Sequence, residues 1–87
     1  MGRPRIGSLK ALDNMILEIK FTNGTIKRYD AKELLELSSD FEILKEPSIF
    51  KLAQVEVGGI GVYWTKNLDI SAYDLWEDGI MVENSIV

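Results

Sequence analysis

The chain is 87 residues long, 46% hydrophobic and 28% charged, with a formal net charge of −4, the size and composition of one small globular domain that buries roughly 60–65% of its unfolded surface. It holds no histidine and no cysteine, which removes the side chain best suited to proton transfer near neutral pH, the thiolate nucleophile, disulfides, and the usual ligands of zinc and copper. No run of 18 apolar residues spans a membrane and no secretory signal opens the sequence, so the chain reads as cytoplasmic.

Ile6 to Leu12 reads as a strand, and Asp13-Asn14 suits a turn. Leu17, Ile19 and Phe21 then alternate with polar residues, as a strand with one buried face requires. Asn23-Gly24 follows, a pair that tolerates the positive φ angles of a tight hairpin, and Ile26 to Tyr29 returns as the second strand. A two-residue loop would pair Phe21 with Ile26. A three-residue loop with Gly24 in a bulge would instead align Leu17, Ile19 and Phe21 with Tyr29, Lys27 and Thr25. Neither register buries both Ile26 and Tyr29, so a bulge in the second strand is expected, or a sheet covered on both faces.

Asp30-Ala31-Lys32-Glu33 has the form of a capping box before a short helix carrying Leu34, Leu35 and Leu37, ending near Ser38-Ser39. Phe41, Ile43 and Leu44 continue an apolar stretch up to Pro47, which suits the first position of a helix containing Ile49, Phe50, Leu52 and Ala53. Val55 and Val57, Gly58-Gly59, then Ile60, Val62 and Trp64 read as a second hairpin, with those last three on one face and Gly61 and Tyr63 on the other. Ser71-Ala72-Tyr73-Asp74 starts a last short helix bearing Leu75 and Trp76, and Asp78-Gly79 stops it. The expected architecture is α+β: a small antiparallel sheet built from two β-hairpins, with two or three short helices packed on it. Residues 1–80 form the single domain, and 81–87 a C-terminal tail or short late strand.

The charge is divided unevenly. Residues 1–32 carry seven basic and three acidic side chains, net +4, whereas residues 33–87 carry three basic and eleven acidic ones, net −8. Halves of opposite sign attract one another within the fold or between two copies; a basic face for a phosphate backbone is the narrower alternative.

Chemistry-bearing patterns are few. Trp64, Asp69 and Trp76 form the most tempting cluster, because tryptophan favours interfaces and pockets. The plainer expectation is that Trp64 fills the core and Asp69 satisfies backbone donors in the loop before the last helix. Asp69 and Asp74 are candidates for paired carboxylates, but Asp69, Asp74 and Glu77 lack the spacing of a calcium loop. Gly58-Gly59-Ile60-Gly61 lies between strands with no following helix, so it is a turn rather than a phosphate cradle. The serines have no histidine to activate them. Lys20, Lys27 and Arg28 on the first hairpin are the candidate contacts to nucleic acid, with Tyr29 available to stack on a base.

Taken in order, Leu17-x-Ile19-x-Phe21-x-Asn23-Gly24, Tyr29-Asp30, Leu34-Leu35, Phe41, Leu44, Pro47-x-x-Phe50, Gly58-Gly59, Trp64, Asp69-Ile70-Ser71 and Leu75-Trp76-x-x-Gly79 resemble a small, mostly bacterial family known as domain-of-unknown-function family 2442. The likeness runs from about Ile6 to Gly79. One departure is Leu68, where relatives often carry glycine, so the loop there is expected to differ in shape. The resemblance implies an α+β fold and no established activity. Some relatives are fused to a helix-turn-helix or sit beside another small protein; with no room here for a second domain, DNA binding by fusion is not expected to transfer.

The function expected is that of a non-enzymatic protein-interaction module, acting as a homo-oligomer or with a small neighbouring protein. The alternative is a nucleic-acid-binding accessory or regulatory protein using the basic first hairpin. No catalytic, cofactor-binding or metal residue is assigned, and no membrane partner. The candidate interaction surface comprises Lys20, Lys27, Arg28, Tyr63, Trp64, Asp69 and Trp76.

Overall fold

The alternating first third of the chain becomes a meander in the computed structural model, which describes residues 4–82. Strands β1 (Ile6–Leu12), β2 (Ile16–Phe21) and β3 (Ile26–Asp30) pair antiparallel in that order. The β2–β3 connection is the three-residue loop: the Phe21 N–H donates to the Thr25 carbonyl at 2.8 Å and the Gly24 N–H to the Phe21 carbonyl at 2.9 Å. Gly24 sits at φ 92°, which a residue with a Cβ rarely adopts. Leu17 therefore pairs with Tyr29 and Ile19 with Lys27.

That register sends Tyr29 and Lys27 inward and leaves Ile26 half-buried on the opposite face. The bulge expected in the second strand is not there. The irregularity falls in β1, between Ile6 and Ser8. No correction is needed in β3, because the inward lysine finds a partner.

The second hairpin builds a separate sheet. Strands β4 (Gln54–Val55), β5 (Gly61–Thr65) and β6 (Leu68–Ser71) pair antiparallel in that order. Ile60 does not join Val62 and Trp64 on a strand face: Gly58 and Gly59, at φ 82° and 70°, close a turn ahead of it, and it is 57% exposed. Strand β6 corrects the loop expected before the last helix. Leu68 and Ile70 point inward and Asp69 and Ser71 outward, a period-two pattern only four residues long.

Short helices close the remaining sides. Asp30 accepts from the Lys32 N–H at 3.0 Å and starts a 3-10 helix, Ala31–Glu36. Ser38 likewise accepts from the Asp40 N–H and starts a second one, Ser39–Lys45. Pro47 opens helix α1 (Pro47–Phe50). Ser71 caps α2 (Ala72–Asp78) by accepting from the Asp74 N–H at 3.1 Å. Gly79 ends α2 without a left-handed turn; a Cβ there would lie 2.5 Å from the Leu75 carbonyl oxygen. The chain then adds β7 (Ile80–Met81) to the free edge of β3. The rest of the expected tail, 83–87, lies outside the described residues.

Both sheets feed one core. Leu17, Ile19 and Phe21 from the first meet Val62 and Trp64 from the second, with Leu75 of α2 between them. Burying an aliphatic or aromatic side chain of this kind contributes about 1.5–3 kcal/mol. No buried side chain among the described residues is polar or charged apart from the Tyr29 hydroxyl and the Trp64 indole N–H. No helix among them is long and apolar enough to cross a membrane.

Candidate functional site

The seven candidate residues do not form one surface. Lys20 and Arg28 stand on the outer face of the four-stranded sheet, where Arg28 Nε pairs with Glu18 Oε1 at 2.9 Å. Tyr63 and Asp69 face each other across β5 and β6 on the outer side of the three-stranded sheet. Trp64 is core: it stacks with Phe50 at a centroid distance of 5.9 Å, and its Nε1 donates to the Phe50 carbonyl at 3.0 Å. Trp76 belongs to a different aromatic pair, edge-on to Phe21 at 4.9 Å. The tempting Trp64, Asp69 and Trp76 cluster is therefore divided among separate environments.

Lys27 is the largest departure from expectation. Its β3 position points it at α2, where Nζ lies 4.0 Å from the centre of the Trp76 ring and donates to the Trp76 carbonyl. Helix α2 needs that cation. Its last turn carries no basic residue, and Glu77 and Asp78 lie at the end where backbone dipoles disfavour anions. A strand thus supplies the positive charge that the helix sequence lacks. Of the three basic candidates on the first hairpin, Lys27 is half-buried against α2, Lys20 is exposed and Arg28 is paired with Glu18.

The opposite-sign halves meet in an unexpected way. The three ion pairs among the described residues, Glu18–Arg28, Asp30–Lys32 and Glu42–Lys45, each join partners from the same half. Contacts across the divide use backbone carbonyls instead, Lys27 on Trp76 and Arg5 on Gly58. Among the described residues the carboxylates of α2 and β6 are left without ion-pair partners.

Two hollows follow from this arrangement. One, of about 420 Å³, lies between the Ala31–Lys45 segment and the α2–β6 corner, with Asp69, Asp74 and Asp78 along one side and Leu37 and Phe41 along the other. Tyr29 lines it as well, only 3% exposed. Burial, followed by the charges of Glu33, Asp78, Asp74 and Asp30, pushes the Tyr29 hydroxyl up to about 12. Among the described residues no three acidic side chains come close enough to hold a metal ion.

The second hollow, about 990 Å³, opens where β7 ends the four-stranded sheet. Leu12, Ile16 and Val82 line it with Ile80 and Met81, which are 76% and 50% exposed. Asp30 lies at its margin. Burial pushes that carboxyl up, but hydrogen bonds from the Lys32 side chain and backbone, with the lysine's charge, outweigh this and leave it below its ordinary value.

Sequence reasoning passed over Asp78, Ile80 and Met81 as site residues. One signal was present for the first: Asp74 and Asp78 are four apart, so a helix places them on one face. None existed for the β7 hollow, which depends on long-range pairing.

The family described as "Protein of unknown function (DUF2442)" matches residues 6–80, and the chain belongs to it. That span runs from the first residue of β1 to the first of β7. No curated protein and no solved structure matches the chain.

Proposed function

We propose that this chain is a non-enzymatic protein-interaction module that works as a homo-oligomer or with a small partner protein. The observation that carries this reading is the β7 face. Two large apolar side chains, Ile80 and Met81, stand exposed beside a hollow lined by further apolar residues, on a two-residue strand that ends the sheet. An uncovered sheet edge flanked by apolar surface favours association.

What supports a protein over a nucleic acid as partner is the use made of the basic hairpin: Lys27 is spent on α2 and Arg28 on Glu18.

Light scattering over a range of protein concentrations tests the reading. The wild-type mass is expected to rise toward that of a dimer, and the Ile80→Lys variant to stay monomeric while remaining folded. A strict monomer at every concentration would remove self-association.

A further inference from the structure

Three features of the hollow beside α2 run against what a purely structural surface requires. Asp74 and Asp78 form a like-charge pair one helical turn apart, which weakens a helix. Asp78 also lies at the C-terminal end, where the helix dipole disfavours a carboxylate. The Tyr29 side chain is 3% exposed and lines the hollow, yet its hydroxyl has no hydrogen-bond partner among the described residues. Leaving a buried hydroxyl unpaired is costly. Asp69 adds a third carboxylate from β6, and none of the three acids takes part in an ion pair among the described residues.

One kind of group answers all of these at once. It carries positive charge, donates hydrogen bonds, and has an apolar stem to lie along Leu37 and Phe41. We propose that this hollow is a docking site for a lysine or arginine side chain presented by a partner protein, with the cationic head among Asp69, Asp74 and Asp78 and one N–H donating to the Tyr29 hydroxyl oxygen. The carboxylates are too far apart to enclose a metal ion, and they repel nucleic acid. A head group with several N–H donors on a flexible stem reaches them.

The proposal deepens the interaction reading by giving the partner's chemistry, but it uses the inner side of β3 rather than the β7 face. A strictly monomeric protein that binds here would defeat self-association and leave the docking site standing.

Calorimetric titration at low ionic strength with the peptide acetyl-Leu-Lys-Leu-Lys-Leu-amide, and with its glutamate counterpart, tests it. Saturable one-to-one binding of the lysine peptide alone is expected. Asp74→Asn with Asp78→Asn should weaken it about tenfold or more, and Tyr29→Phe by a smaller factor. Asp78→Asn alone and Tyr29→Phe should each unfold at a higher temperature than wild type when free, since each relieves a local cost; Asp74 lies in the first turn of α2, where the helix dipole favours its charge. Glu46→Gln with Glu56→Gln makes the same change in net charge elsewhere and should leave the affinity unchanged. The proposal is overturned if no saturable binding occurs, if the two charge pairs weaken it equally, or if Asp78→Asn alone proves less stable than wild type.

Discussion

Lys27 and Tyr29 stand two apart on β3, both facing inward, and they end in opposite circumstances. Lys27 meets the C-terminal turn of α2 with every requirement met: its stem packs, its ammonium has a carbonyl and an aromatic face, and the helix end gains a cation. Tyr29 brings an equally polar tip into a hollow among carboxylates, where nothing in the described chain answers it. The same strand thus has one end that holds the fold together and one that stores unmet polar demand. Strain and unsatisfied groups gather where a protein binds, because stability alone would have removed them.

The contrast is most severely broken by deleting what both ends share. Leu75 is fully buried in α2, and Leu75→Ala should cost about 2–5 kcal/mol of stability in urea unfolding, loosening the helix from both residues. A selective cut at the satisfied end comes next. Lys27→Met keeps the stem but removes the ammonium, leaving the Trp76 carbonyl without its donor and Glu77 and Asp78 unopposed. The expected loss is about 1–3 kcal/mol, measured the same way.

The smallest effect sharpens the other end and is read against pH. The Tyr29 hydroxyl lies at about 12 in the folded protein against an ordinary 10.0. In that window the unfolded chain has lost the proton and the folded one retains it, so stability falls as pH rises from 10 toward 12. Below pH 10 the residue contributes no slope. Comparing unfolding of wild type with Tyr29→Phe across this range should show the extra decline in wild type only.

Local pattern carried much of the architecture. Leu17, Ile19 and Phe21 announced a strand through their alternation, Asn23-Gly24 its turn, Pro47 a helix start and Ser71 a cap, and each has that role in the fold. Failures came where a segment was too short or its partner too distant. Strand β6 offers only Leu68 and Ile70 as inward residues, too few to separate a strand from a loop before a capped helix. Lys27 read as a surface cation, because nothing near it in sequence shows that α2, some fifty residues later, ends in acids and needs a positive charge.

The amino-acid sequence by itself determined the class of fold, the first hairpin, the capped starts of the helices and the absence of histidine and cysteine chemistry. These follow from short-range rules: side-chain periodicity, positive φ at particular turn residues, and side-chain oxygens bonding nearby N–H groups. Only the tertiary structure decided that the strands divide into two sheets, that Lys27 turns inward while Lys20 stays out, and that Tyr29, Asp69, Asp74 and Asp78 border one hollow. Those outcomes depend on which distant groups satisfy one another's charge and hydrogen bonds, and proximity of that kind exists only once the chain has closed on itself.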